Sequence, residues 1–314
     1  MNFQQLRSVR EAVRRAFNLT EVAQALNTSQ PGVSRQIRDL EDELGVEIFV
    51  RAGKCLTGLT AIGRQVLPLV ERMLLDAENL QRVSDDYTRG VVGTLAVATT
   101  HSQARYALPT VVRDFRKAHP QVTLELRQGS PHQVAVMLLS GEADIAIATR
   151  VLEDYDELVA LPCYRWTHSI IVPEGHELLD APLTIERLAG FPLITYDVGY
   201  TGRGTIDHAF ARAGFKIKPV LTAMDADVIK TYVELGLGVG IMASIAFDDE
   251  RDRHLRAIDA RDLFEINTTS IALRRGSVLR GFAYEFIETF APHLTAELVT
   301  RAQTTPRDTP SAPL

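Results

Sequence analysis

Cysteine is scarce in this chain, with two residues in 314, Cys55 and Cys163. They lie far apart and neither belongs to a Cys-x-x-Cys pair, so no zinc site or redox motif is visible, and a reducing cytosol suits them. No uncharged apolar run reaches the ~18–20 residues that a membrane span needs. Residues 1–15 carry charge throughout and contain no apolar stretch of the secretory kind, so the expected location is cytoplasmic, with no membrane contact. The eight histidines are scattered without metal-ligand spacing. Ser34, Ser102 and Ser244 lack the setting of a nucleophile elbow. The expectation is therefore no catalytic residue, no metal and no cofactor, and a protein that is not an enzyme. Excess positive charge is also missing, since the net charge is −6, which excludes a uniformly basic nucleic-acid coat. Two glycine-bearing stretches fail as phosphate loops. Gly53-Lys54 lacks the upstream glycine and the following Ser or Thr, and Gly236-Leu237-Gly238-Val239-Gly240 lacks the strand-before, helix-after context.

The charge is unevenly spread. Residues 1–64 hold nine basic and seven acidic side chains, a balance of +2 that leaves −8 for the remainder. A mildly basic head on an acidic body fits a DNA-binding domain joined to something else. Within that head, residues 18–45 read as two short helices with a tight turn. Thr20 is expected to cap the first. Ser29 is expected to cap the second, with Pro31 near its start, where a missing N–H costs nothing. Val33, Ile37, Leu40 and Leu44 form the expected buried stripe and Gly45 ends the helix. Gln30, Ser34, Arg35 and Arg38 then face solvent, as on the recognition helix of a helix-turn-helix; a plain helical hairpin with a charged face is the alternative. Phe3, Leu6, Val9, Val13 and Phe17 make a supporting helix ahead of it. Two apolar runs, 46–49 and 56–59, predict a β-hairpin wing with Arg51 and Lys54 at its tip, in position for phosphates or as ordinary surface charge.

From Thr60 a long helix is expected to about residue 86. Ile62, Val66, Leu69, Met73, Leu80, Val83 and Tyr87 follow steps of four and three, with Asp76 or Ala77 filling the gap after Met73, a coiled-coil seam that predicts a dimer; a long helix packed on its own domain is the alternative. Pro68 lies inside it and should kink it. Beyond a hinge at 88–93, strands at 94–99, 122–127 and 143–148 alternate with helices at 102–119 and 131–140, which predicts a parallel sheet covered by helices. Leu161-Pro162 reads as a crossing into a second unit. That unit has strands near 169–172, 192–196 and 219–222 and helices near 185–189, 204–213 and 226–235. A strand at 268–273 and a helix at 279–290 follow, and residues 300–314 are expected to be disordered.

Open α/β sheets bind ligands beyond the carboxyl ends of their strands. Thr99-Thr100-His101-Ser102-Gln103 hands hydroxyls and an amide to a helix N-terminus, a cradle for an oxyanion. Ala148-Thr149-Arg150 and the loop 199–204, with Thr201, are further candidates. Taken singly, each is better explained by ordinary capping; together they suggest a site for a small oxyanion. His101 is the histidine within the cradle.

The string from Thr28 to Ile37, continued by Leu40-Glu41-Asp42-Glu43-Leu44-Gly45, resembles the head of the LysR-type transcriptional regulators, and Phe49, Arg51 and Leu56-Thr57 are similar to its wing. In the body, residues 98–109, Gln128-Gly129-Ser130-Pro131, Leu161-Pro162-Cys163-Tyr164, Thr201-Gly202-Arg203 and residues 225–232 resemble the CysB and Cbl subgroup. The resemblance implies an α/β architecture: a winged helix-turn-helix over 1–59, a linker helix over 60–87, and a periplasmic-binding-protein-like effector domain. That domain would have one subdomain over 93–161 and 268–299 and a second over 162–267. It implies a regulator of sulfur assimilation, DNA contacts from Gln30, Pro31, Ser34, Arg35, Arg38, Arg51 and Lys54, and an effector held by Thr100, Ser102, Gln103, Thr149, Thr201 and Trp166. The implied partners are promoter DNA, sulfate, an acetylserine or adenosine phosphosulfate, RNA polymerase, and copies of the chain in a dimer or tetramer. Ser102 stands where the subgroup commonly has threonine, and Arg150 where an acidic residue is expected. A LysR-type regulator of another pathway, a small-anion binding protein and a transferase-like enzyme are the competing readings.

Overall fold

The structure, a computed structural model, describes residues 1–305 apart from Lys54, Gly90, Val91, Arg150 and Thr201. The chain divides into two compact units, residues 1–88 and 89–314.

The first unit opens with α1 (Phe3–Arg14), started by a reciprocal cap in which Asn2 accepts from the Gln5 N–H and the Gln5 side chain accepts from the Asn2 N–H. Leu6, Val9 and Ala12 are buried, whereas Phe3 is exposed. The helix ends before Phe17, whose φ of +68° turns the chain and brings the ring edge-on to Phe49. Helix α2 (Leu19–Ala25) is capped by Asn18, not Thr20: the Asn18 side-chain Oδ1 accepts from the Thr20 and Glu21 N–H groups, so Thr20 already lies inside the helix. Helix α3 (Gln30–Leu44) starts on Ser29, which accepts from the Gly32 N–H at 3.2 Å, and ends on Gly45 at φ +70°. Its buried stripe is Val33, Ile37, Leu40 and Glu41, while the expected Leu44 is exposed.

Glu41 takes the inward place because the chain beyond α3 needs an acceptor there. Its Oε1 accepts from the Ile48 and Phe49 N–H groups at 2.8 and 3.0 Å. Those donors would otherwise be buried unpaired, at about 1–3 kcal/mol each. Its second oxygen pairs with Arg51. Strands β1 (Phe49–Ala52) and β2 (Cys55–Leu59) form the antiparallel wing. Thr60 caps α4 (Ala61–Arg89), which continues through Pro68. Val70 and Leu74 pack into the core of this unit, whereas Leu69, Met73, Leu80, Val83 and Tyr87 are exposed, Leu80 to 75% and Tyr87 to 93%.

The second unit contains two five-stranded sheets. In chain order its elements are β3 (Gly93–Thr99), a π-helical turn (Gln103–Ala107), α5 (Leu108–Ala118), β4 (Val122–Gln128), α6 (Pro131–Ser140), β5 (Ile145–Thr149), β6 (Leu158–Trp166), β7 (His168–Pro173), α7 (Ile185–Ala189), β8 (Leu193–Tyr196), α8 (Arg203–Arg212), β9 (Pro219–Ala223), α9 (Ala226–Glu234), β10 (Val239–Ala243), β11 (Leu255–Asp259), β12 (Asn267–Arg274), α10 (Gly281–Phe290) and α11 (Ala296–Thr304). The first sheet has the order β4-β3-β5-β12-β6 and the second β11-β7-β10-β8-β9. The expected βαβ strands are parallel, but β12 runs antiparallel to both β5 and β6, so the sheet is mixed.

Leu161-Pro162 is not a crossing point. It lies within β6, which carries the first sheet past the boundary expected at residue 161, and the chain crosses between Trp166 and His168. Pro162 is tolerated because β6 is an edge strand and its register shifts against Thr269 and Ser270. The glycine run after α9 is structural. Gly236 has φ +75°, and a Cβ on Gly238 would stand 2.4 Å from the Pro192 carbonyl oxygen. Residues 300–304, expected in the disordered tail, belong to α11, where Val299 and Gln303 are buried and Gln303 donates to the Ser277 carbonyl at 2.8 Å. Residues 306–314 lie outside the described residues. Among the described residues no helix is long and apolar enough to cross a membrane.

Glu41→Ala strands two backbone donors and the Arg51 guanidinium, so melting of the N-terminal unit should show a loss of about 3 kcal/mol. Leu44→Ala, at an exposed position, should cost no more than about 0.5 kcal/mol.

Candidate functional site

Two groups of residues carry chemistry, one in each unit. On α3 the exposed first turn presents Gln30 and Pro31. Arg35 is wide open, its side chain 83% exposed and 3.8 Å from Asp39. Arg38 folds back along the helix and donates to the Ser34 hydroxyl at 3.0 Å and the Ser34 carbonyl at 3.3 Å, so those two act as one polar patch. Gln30 and Arg35 are thus an amide and a guanidinium on a helix edge, the side-chain types that read base edges in a major groove. Arg51 is half-buried and paired with Glu41, a bond that holds the wing to α3 and occupies part of its guanidinium. Lys54 lies outside the described residues.

In the second unit the chain leaves β3 at Thr99, whose hydroxyl donates to the Ile147 carbonyl at 3.1 Å. It then enters a helical turn at once, with the Ala104 N–H on the Thr100 carbonyl at 3.0 Å. Thr100, Ser102, Gln103, Thr149 and Trp166 are all buried. Sheet register brings several of them together. Thr149 on β5 stands opposite Thr269 on β12, and Thr269 stands opposite Tyr164 on β6. The Gln103 amide spans this row: its Nε2 donates to the Thr269 hydroxyl at 3.2 Å, and its Oε1 accepts from the Tyr164 hydroxyl. Gln103 is therefore held at both ends of its amide. Trp166 lies two residues beyond Tyr164 on the same strand, and the two side chains share a face.

Ser102 lies beside Tyr196 of the second sheet. Burial pushes that phenol well above its usual value, while the Ala243 N–H, which donates to it, and the neighbouring Ser102 pull it back. Trp166 meets Gly202, where any Cβ would stand 3.0 Å from the indole Cη2. His168 packs edge-on to Trp166 at 5.1 Å and is fully buried. Burial pushes its pKa down to about 3, so the ring is neutral. Neither the Trp166 indole N–H nor either His168 ring nitrogen has a hydrogen-bond partner among the described residues. Thr201 and Arg150 lie outside them.

The described part of this cradle is thus built from hydroxyls, a fixed amide and an indole at the start of a helix, an array that suits a small oxyanion. Tyr164, Thr269, Tyr196 and His168 were not among the expected site residues. Tyr164 lies in one of the family-like strings, but Thr269 comes to the site only through sheet register.

His101, the histidine of the expected cradle, stands outside it. Its Nδ1 is 3.2 Å from the Gln128 amide oxygen, and its Nε2 is 3.6 Å from Asp227. His101, Asp225 and Asp227 are close enough to share a metal ion. The Asp227 carboxylate is already engaged by Arg105 and Tyr106, which leaves little negative charge for a cation. Burial pushes the Cys163 thiol up to about 12, so it is no nucleophile at neutral pH.

Residues 3–64 match the model of the bacterial regulatory helix-turn-helix protein of the lysR family, and residues 88–295 match the LysR substrate binding domain. The chain is 59% identical over 295 residues to the HTH-type transcriptional regulator SsuR of Burkholderia cenocepacia, covering 94% of this chain and 96% of that one. It is 54% identical over 303 residues to the regulator CysB of the same organism, covering 96% and 97%. Among solved structures, the cofactor-binding domain of the Cbl transcriptional regulator superposes with a TM-score of 0.65 at 46% identity, covering 68% of this chain and 93% of that one. Both the helix-turn-helix head and the body of the chain match LysR models, and the chain belongs to the LysR family of transcriptional regulators.

Proposed function

We propose that this regulator controls genes of sulfur assimilation or sulfonate use, and that its signal is a small sulfur-related anion held in the cradle between the two sheets. The observation that carries the reading is the cradle itself. Its buried Thr100, Ser102, Thr149 and Gln103 offer neutral donors at a helix start, alongside a neutral His168. Fixed dipoles of this kind hold a fully ionised oxyanion without a buried counter-charge. The relatives named SsuR, CysB and Cbl support the sulfur assignment.

The DNA-reading element is α3, with Gln30 and Arg35 toward bases and Ser34 and Arg38 as a patch beside them. Arg51 contributes mainly through its bond to Glu41. Two copies join along the exposed stripe of α4, which places two recognition helices about a two-fold axis. A tetramer would add a further interface. The effector acts by favouring the arrangement it binds better, since a ligand shifts only states it binds differently. The site is the cytoplasm, the partners are promoter DNA and RNA polymerase, and no catalysis is assigned.

Calorimetric titration of the full chain with sulfate, thiosulfate, O-acetylserine, N-acetylserine and adenosine phosphosulfate should show saturable binding of one of them. Thr100→Ala should weaken that binding at least about tenfold, the loss of one charge-assisted hydrogen bond. Binding of none of these compounds would remove the sulfur assignment and leave a LysR-family regulator of another signal. In gel shifts on promoter fragments, Arg35→Ala should cost about 1–3 kcal/mol on the cognate site and little on random DNA. Equal loss on both would make Arg35 a phosphate contact. Leu80→Asp, with a charge in the exposed seam of α4, should give a smaller species in analytical ultracentrifugation, and an unchanged mass would rule this stripe out as the interface.

A further inference from the structure

The π-helical turn that follows the cradle touches both sheets. Gln103 reaches back to Thr269 and Tyr164 in the first sheet. Ser102 and Tyr106, four residues apart and so on one helical face, reach the second. The Tyr106 ring packs beside the cluster around Ile171, Ile194 and Ala226. Its hydroxyl donates to Asp227 Oδ1 at 2.7 Å. Burial, with Asp227 alongside, pushes the phenol well above its ordinary value, so the proton stays on the donor. Arg105 Nε lies 2.6 Å from Asp227 Oδ2.

Asp227 stands in the first turn of α9, fixed by the Asp225 cap on the Val228 N–H. Lys230 lies 3.6 Å from Asp227 and 5.3 Å from the centre of the Tyr106 ring. It is itself anchored on Asp252 at 3.0 Å and on the Ala246 carbonyl at 3.0 Å. One carboxylate of the second sheet's layer thus gathers a phenol and a guanidinium from the segment that carries the cradle.

We infer that Asp227 is a positioning residue. Through Tyr106 and Arg105 it latches the cradle-bearing turn to the second sheet's layer and sets how readily the two halves of the body close on a ligand. The inference rests on the proposed role of the cradle only for what the closure serves; the latch itself is the Asp227 contact. The Arg105 bond is half-exposed and screened, whereas the Tyr106 bond is sheltered, so the phenol should carry more of the effect.

Trp166 is the one tryptophan of the chain, buried against Gly202 where the two halves meet. It is a native reporter of closure that needs no ligand. Acrylamide quenching of the full chain should rise about two- to threefold in Asp227→Ala and in Tyr106→Phe. It should rise less in Asp227→Asn, which still accepts from Tyr106, and less again in Arg105→Gln. The double variant Asp227→Ala/Tyr106→Phe should be no more quenched than Asp227→Ala alone, because the Tyr106 bond is already lost there. Wild-type quenching in both Asp227→Ala and Tyr106→Phe would overturn the latch, as would additive effects in the double variant. Arg105→Gln alters an exposed group and guards against loss of folding in the others; in that event, wild-type quenching in Arg105→Gln and in Asp227→Asn overturns the proposal. Titration with sulfate then separates the two readings. Sulfate affinity about tenfold lower in Asp227→Ala, or about 1.4 kcal/mol, joins the latch to the cradle. Absence of sulfate binding in the wild type counts against sulfate as the effector and leaves the quenching result to decide the latch.

Discussion

The body of this protein depends on the pairing of Asn267 with Trp166, the point where the two strands that run between the sheets lie side by side. The chain leaves the first sheet after Trp166 and comes back into it at Asn267. The Asn267 side chain, fully buried, accepts from the Thr205 hydroxyl of α8 at 3.1 Å. Because both passages are made there, each sheet keeps its own core, and the polar residues at the strand ends face one another across the junction. The cradle, the indole and the latch are all consequences of that double passage.

The electrostatics of the two polar clusters are opposite in kind. The cradle relies on dipoles: hydroxyls, an amide clamped at both ends, and an imidazole that burial keeps neutral. The Asp227 cluster relies on charge, with Arg105, Lys230 and Tyr106 about one carboxylate. A neutral pocket can admit an anion without paying to separate an internal ion pair. A charged clasp at the rim can hold two layers together while staying sensitive to small changes in geometry. The π-helical turn joins them, consistent with the tendency of such turns to occur at functional positions.

The N-terminal unit uses one buried carboxylate in a comparable way. Glu41 satisfies two backbone donors of the wing and fixes Arg51. Arg51 is thereby tied into the framework, and Gln30, Arg35 and Arg38 are exposed on α3. On α4 the buried Val70 and Leu74 and the exposed Leu80, Val83 and Tyr87 divide one helix into a side that supports the domain and a side that is exposed.

What the sequence determined by itself is everything that depends on neighbours a few residues apart. Ser29 and Gly45 mark the ends of α3, Thr60 starts α4, the steps of three and four locate the exposed stripe, and most strands of the body stand where their β-branched runs lie. Thr100, Ser102, Gln103 and Thr149 were recognisable because a strand end that runs into a helix is itself a local pattern. Even within this range Asn18 displaced Thr20, since two potential caps stood close together and only backbone geometry chooses between them. Tertiary structure alone decided the pairings over long separations: the antiparallel entry of β12, Pro162 inside an edge strand, Glu41 beneath Arg51, and Gln103 bonded to Thr269 across 166 residues. The physical reason is that periodicity and capping are set by short-range sterics and hydrogen bonds, whereas register and the partners of buried polar groups are settled only when distant strands compete for the same donors and acceptors.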